Sequence, residues 1–160
     1  MEIRPLEPSD GAAVYLALLS DPEITAWFGP GGERTLEEAE VMAIRKAAHR
    51  TVHGFGWSVA WEGGECLGWA VAQHAIIDGF SEVELGWSVA RAHWRQGIAT
   101  ALGRHALAEV SGRGLRSVVA YTDEGNVASR GVMAKLGMSY EKTFQDDGER
   151  HVLYRLALEP

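Results

Sequence analysis

Between Glu82 and Val89 the chain alternates, with Glu82, Glu84, Gly86 and Ser88 on one face of a strand and Val83, Leu85, Trp87 and Val89 on the other. The period then lengthens. Ile98, Leu102, Ala106 and Val110 recur every four residues, which predicts a helix that stops at the breaker Ser111-Gly112-Arg113-Gly114. Ser117 to Thr122 reads as the next strand. Because a helix joins it to its predecessor, the two strands are expected to run parallel with a right-handed crossover.

The flanking pattern fills in around this unit. Ile3 to Leu6 reads as a short edge strand, and Ser9-Asp10 caps a helix to Ser20 with Val14 and Leu18 on one face. Asp21-Pro22-Glu23 restarts a short helix that carries Trp27 and Phe28 and stops at Gly29-Pro30-Gly31-Gly32. The capping box Thr35-Leu36-Glu37-Glu38 opens a longer helix to about His49. Phe55 to Trp61 and Cys66 to His74 are strand-like around the hairpin loop Glu62-Gly63-Gly64-Glu65, and Ile76 to Phe80 is a connection. Asn126 caps a further helix ending at Leu136-Gly137, after which Tyr140 to Phe144 and His151 to Leu158 pair across Asp146-Asp147-Gly148. No linker, repeat or low-complexity tract is evident. Residues 1–160 are therefore expected to form one α/β domain with a mixed sheet.

Composition narrows the function classes. Fifteen Lys plus Arg against 22 Asp plus Glu give a net charge of −7, a surface that repels nucleic acid and favours cationic partners such as amines. No apolar run approaches the ~20 residues of a membrane span, and the N-terminus lacks a basic stretch followed by an apolar core. A cytoplasmic protein without membrane or nucleic acid partners is expected. The lone cysteine, Cys66, sits in a strand-like run and reads as a buried packing residue rather than a nucleophile. His49 and His53 are four apart, but no Asp, Glu or Cys completes a metal set beside them, so no metal is expected.

The chemistry concentrates between the alternating strand and the helix at Ile98. Trp94-Arg95-Gln96-Gly97-Ile98-Ala99-Thr100 places small residues at a helix start, where backbone N–H groups have no intrahelical partner and the dipole favours an anion. This is a pyrophosphate cradle. A P-loop would need Gly-Lys-Ser/Thr where the chain has Gly97-Ile98-Ala99, and a dinucleotide fingerprint would need three spaced glycines where Gly97 stands alone.

The segment resembles the coenzyme A-binding motif of the GNAT superfamily of N-acetyltransferases, Gln/Arg-x-x-Gly-x-Gly/Ala. Arg95 to Thr100 fit, while Trp94 stands where that family usually has Gln or Arg. The aromatic-x-Gln-Gly-x-Ala-Thr variant is similar to the RimJ/RimL-like branch, which acetylates protein N-termini and small amines. The resemblance implies a mixed, mostly antiparallel sheet whose central parallel pair splays at the cofactor site, with helices on both faces. It also implies acetyl-CoA as cosubstrate and direct transfer to a primary amine, either a peptide N-terminus or a small molecule, in a ternary complex. A homodimer is implied by the resemblance alone.

Acyl transfer to nitrogen assigns roles to residue types. An amine with the pKa of lysine, ~10.4, is protonated at neutral pH and has to shed a proton beside the thioester. Glu84, on the strand that feeds the cradle, is the favoured base, and Glu82 on the same face is second; a solvated strand face is the bland reading of both. By resemblance, the Val89 N–H steadies the developing oxyanion, and Trp87, Ser88 and Val89 line the splayed edge. Arg95, Gln96, Gly97, Ile98, Ala99 and Thr100 would hold the diphosphate, with Arg91 a further flanking cation.

The resemblance to the RimJ/RimL-like branch further implies that Ser129, three residues after Asn126, meets the thiol and that Asn126 bonds the pantetheine arm, although helix cap and first-turn residue describe them equally well. The position where many GNAT enzymes carry an acidic tyrosine holds Met133, leaving Tyr121, Tyr140 and Tyr154 as open substitutes. Trp27, Trp57 and Trp69 are candidates to wall an acceptor pocket. Two alternatives stay open: a non-catalytic coenzyme A-binding protein, for which Met133 leaves room, and a nucleotide-binding domain, against which the missing lysine after Gly97 counts.

Overall fold

The computed structural model describes residues 1–159. The first segments are β1 (Glu2–Pro5) and a helical stretch from Pro8 to Leu19 whose α-helical part is α1 (Gly11–Val14). Next come α2 (Pro22–Thr25), with a following turn Ala26–Phe28, and α3 (Leu36–His53). A hairpin pair, β2 (Ser58–Glu62) and β3 (Glu65–Ile77), leads to β4 (Phe80–Val89) and α4 (Ile98–Val110). The chain closes with β5 (Ser117–Asp123), α5 (Val127–Lys135), β6 (Ser139–Asp146) and β7 (Glu149–Ala157).

Among the described residues, seven strands form one sheet in the order β1-β2-β3-β4-β5-β7-β6. Neighbours pair antiparallel except β4 and β5, which run parallel. That parallel pair meets at a single register position, Glu84 with Val119, and β4 leaves β5 beyond it. The expected mixed sheet with a splayed central pair is the observed architecture.

Helices cover both faces. On one, Leu102, Ala106 and Val110 of α4 and Val132 and Met133 of α5 pack on Val83, Leu85, Val118 and Ala120. Full burial of a side chain such as Leu102 contributes about 2 kcal/mol. On the other, Val14, Leu18, Ile24 and Ala39 pack on Trp57, Val59, Trp69 and Val71. Farther along the same face, Ile77, Val119, Phe144 and Leu153 form a separate cluster. Glu84 alternates with Val83 and Leu85, so it stands on this second face between the two clusters.

Three segments differ from expectation. Ile76 to Phe80, expected as a connection, belongs mostly to the strands: β3 runs to Ile77 and turns through Asp78 (φ 49°) and Gly79 (φ 82°) directly into β4. Both turn residues are left-handed, the geometry that matches the twist of paired strands. α3 continues four residues past His49 to His53, where Gly54 (φ 77°) ends it; Thr51, Val52 and His53 are exposed, so no apolar spacing marks this last turn. Asp10 does not cap α1. Its carboxylate accepts from Arg4 at 2.8 and 2.9 Å and from the Glu7 N–H at 2.8 Å, which pins the first helical turn to β1.

Candidate active site

The turn before α4 builds the cradle. Gly97, at φ 81°, occupies the position ahead of the helix and offers no capping side chain. The Ala101 N–H donates to Gly97 C=O at 3.1 Å, so the N–H groups of Ile98, Ala99 and Thr100 precede the helical hydrogen-bond ladder. A Cβ built on Gly97 would meet nothing within 4 Å, so an anion can approach the backbone here. Arg95, also left-handed at φ 62°, is exposed beside it. Arg95 and Gly97 to Thr100 line one groove of about 830 Å³ together with His93 and Lys135. Gln96 lies outside that lining and donates to Ala92 C=O at 3.4 Å. Arg91 turns away and pairs with Asp21 at 3.0 Å, which removes it from the cradle.

The splayed edge of β4 carries main-chain groups into the same groove. The Ala90 N–H donates to Leu67 C=O at 2.8 Å, which makes Gly68 and Val89 a non-hydrogen-bonded pair. Val89 therefore points its N–H and C=O toward β5, where no ladder continues. Trp94 Nε1 donates to that C=O at 2.7 Å, so the indole satisfies the carbonyl and leaves the N–H facing the groove. Trp87 is in phase with Val89, whereas Ser88 directs its main chain back to β3. Trp87, Ser88 and Val89 all line the groove.

Glu84 lies at the floor of the groove, half-buried. Gln73, its cross-strand partner on β3, donates Nε2 to Glu84 Oε2 at 2.8 Å. The orientation of that amide is fixed from behind, because Gln73 Oε1 accepts from Lys46 Nζ at 2.9 Å and from Trp57 Nε1 at 2.9 Å. Lys46 also rests 5.0 Å from the centre of the Trp57 ring. Burial pushes the Glu84 carboxyl above the usual carboxylate range, and the Gln73 hydrogen bond and the Lys46 charge pull it partly back. Burial likewise lowers the Lys46 ammonium. A carboxylate held by one oxygen in a poorly solvated groove, with a raised pKa, is a stronger proton acceptor than an ordinary surface carboxylate.

Glu82 is removed from that role. Arg155 binds it through two nitrogens, at 2.6 and 2.9 Å, and also holds Glu141 at 2.5 Å and Ser117 at 2.8 Å. Both oxygens of Glu82 are thereby engaged by a structural cation.

Across the groove, Asn126 Oδ1 accepts from the Ser129 N–H at 3.1 Å and its Nδ2 donates to Thr122 Oγ1 at 3.1 Å. Asn126 thus caps α5, and both it and Ser129 line the groove. Met133 is buried in the core beneath them. Of the three tyrosines left open by the sequence, Tyr121 lines the groove. Tyr140 bonds Thr143 at 2.9 Å and Tyr154 accepts from Arg130 at 3.3 Å. Burial and the Glu84 charge push the Tyr121 hydroxyl up to about 12, so it stays a donor at neutral pH.

Outside the groove, Cys66 is buried and its thiol is pushed up to about 11, as fits a packing residue. His49 bonds the Phe55 carbonyl through Nδ1 at 2.9 Å and accepts from the His74 N–H through Nε2 at 3.1 Å, leaving neither nitrogen for a metal.

The family model described as acetyltransferase (GNAT) domain matches residues 1–139. An uncharacterized N-acetyltransferase of Bacillus subtilis, YoaA, is 25% identical over 141 residues, 87% of this chain and 79% of that protein. Among solved structures, yncA of Salmonella typhimurium, determined with acetyl-CoA as its cofactor, superposes with a TM-score of 0.81 at 22% identity, covering 100% of this chain and 95% of that one. The ribosomal-protein-alanine N-acetyltransferase of Brucella melitensis gives 0.78 at 23% identity, over 99% and 100%.

Proposed function

Since the chain belongs to the GNAT acetyltransferase family, we propose that it transfers an acetyl group from acetyl-CoA to the nitrogen of a primary amine by direct attack in a ternary complex. The observation that carries this reading is the meeting, in one groove, of an open helix start, a free strand-edge N–H and a carboxylate of raised pKa. The fit to acetyl-CoA rests on Gly97, whose left-handed backbone and empty Cβ position let a diphosphate reach the N–H groups of Ile98, Ala99 and Thr100. Bound there, acetyl-CoA supplies an acyl group activated as a thioester.

The chain's own groups do the rest. The Val89 N–H donates to charge developing on the acyl oxygen, and its alignment is maintained by Trp94 on the adjacent carbonyl. Glu84 holds the incoming ammonium and takes its proton through the oxygen that Gln73 does not occupy. Among the hydroxyls that line the groove, Tyr121 and Ser129 are the ones we assign to donate toward a departing thiolate, whose pKa of ~8.5 makes strong acid assistance unnecessary. The aromatic-x-Gln-Gly-x-Ala-Thr segment from Trp94 supports a place in the RimJ/RimL-like branch.

Incubation with acetyl-CoA and a panel of amines and N-terminal peptides, followed by free thiol, tests the reading. Amine-dependent thiol release is expected. Acetyl-CoA binding without release to any acceptor would assign the chain to a non-catalytic coenzyme A-binding role instead.

A further inference from the structure

The acceptor end of the groove has a chemistry of its own. Trp27 and Phe28, at the end of the α2 segment, line it and are exposed at 45% and 38%, two adjacent aromatic side chains open to the groove. Behind them Phe28 stacks on Trp69 (5.7 Å between centroids, 25° between planes), and Trp69 meets Trp57 edge to face at 5.1 Å. This aromatic wall leads down to Glu84.

Carboxylates predominate in the lining, with Glu84, Asp123, Asp146 and Asp147 against Arg95 and Lys135. Asp146 and Asp147 line the same groove, and Asp146 acts together with Glu84 on the Tyr121 hydroxyl. Lys46, the cation beneath the wall, is engaged with Gln73 Oε1 at 2.9 Å and with the Trp57 face at 5.0 Å, and it is not part of the lining. Of the lining cations, Arg95 stands in the turn before α4 and Lys135 in the last turn of α5, and the His151 ring lies 5.7 Å from that of Tyr121. An acceptor carrying its own carboxylate or phosphate would bring it, undercompensated, among Glu84, Asp146 and Asp147.

Resting on the transferase reading above, we propose that the acceptor is a primary amine attached to an aromatic or bulky apolar body that bears no anionic group near the nitrogen. The body lies against Trp27 and Phe28, and the ammonium is drawn past the aromatic faces to Glu84. Both an arylalkylamine and the first residue of a peptide beginning with a large apolar side chain have this chemistry. A free amino acid does not.

The test is thiol release from acetyl-CoA with phenethylamine, propylamine, phenylalanine and a phenylalanine-initiated tripeptide amide. Phenethylamine is expected to exceed both propylamine, which lacks the ring, and phenylalanine, which adds one carboxylate, by about tenfold or more in kcat/KM. Trp27→Ala and Phe28→Ala should each raise KM for phenethylamine about fivefold while leaving KM for acetyl-CoA unchanged. The tripeptide amide separates the two sources: turnover at the phenethylamine level supports a chain terminus, and turnover of the small amine alone supports a small molecule. Equal or better use of phenylalanine or propylamine would overturn the acceptor class while leaving acetyl transfer standing. No release to any of the four, with release to another amine or peptide of the panel above, would overturn the acceptor class alone; silence across the whole panel would overturn both.

Discussion

Gln73 Nε2 donates to Glu84 Oε2 at 2.8 Å across the β3–β4 pair, and the same amide accepts from Lys46 and Trp57 on its other side. One side chain thus links a cation on α3 to the carboxylate at the floor of the groove. Glu84 has to be ionised to take a proton, so kcat/KM rises with pH through its titration, and burial sets that rise above the ordinary carboxylate range. The Gln73 hydrogen bond and the Lys46 charge both stabilise the ionised form. Gln73→Leu and Lys46→Met should therefore each move the rise to higher pH. A pH profile of kcat/KM for the two variants checks the sign; a shift to lower pH would contradict it.

The two glutamates of β4 should separate cleanly. Glu84→Gln is expected to lower kcat by about 10²–10⁴-fold and to abolish the low-pH limb of the profile, with acetyl-CoA affinity little changed. Glu82→Gln, which disturbs the Arg155 cluster, should leave kcat/KM near wild type and lower stability by about 2 kcal/mol in denaturant melts. Reversed effects would transfer the base role to Glu82.

Trp94 departs from the motif that its neighbours follow, and it has found a structural use there. Trp94→Phe keeps the ring and deletes the donor to Val89 C=O. Losing one neutral hydrogen bond of about 0.5–1.5 kcal/mol should lower kcat roughly two- to tenfold, with a smaller change in KM for acetyl-CoA. A change confined to KM would place Trp94 in cofactor binding only.

Gly97→Glu should eliminate acetyl-CoA binding. It adds a negative charge at the helix start and forces a side chain into a backbone at φ 81°. Calorimetric titration against the variant, with its unfolding temperature as a control for folding, reads the effect; retained affinity would place the diphosphate elsewhere.

Much of this architecture is legible in the chain, because the β4–α4–β5 unit has a clear change of period from two to four and strong breakers at its ends. The Gln73–Glu84 contact was within reach too. Asp78-Gly79 is the same turn chemistry as Asp147-Gly148, and a two-residue turn there joins Ile77 to Phe80 and places Gln73 opposite Glu84 by counting back along both strands. Without that turn, nothing in the pattern sets the register of β3 on β4.

Other features depend on contacts that no local pattern encodes. Arg155 reaches Glu82 across a separation of 73 residues, so no local pattern shows which of the two glutamates on this strand face is held by a cation. Lys46 meets Gln73 only because α3 crosses the sheet at that point. The last turn of α3 carries no apolar stripe, since Thr51 to His53 face outward, and its length is set by Gly54.

We propose that helix-start N–H groups at α4 hold a diphosphate and thereby aim a thioester along the β4 edge toward Glu84. The decisive measurement is a crystal structure with acetyl-CoA. The expected result puts diphosphate oxygens within hydrogen-bond distance of the N–H groups of Ile98, Ala99 and Thr100, and the acyl oxygen beside the Val89 N–H. A diphosphate bound away from Gly97, or an acyl group on the far side of the sheet from Glu84, would contradict it.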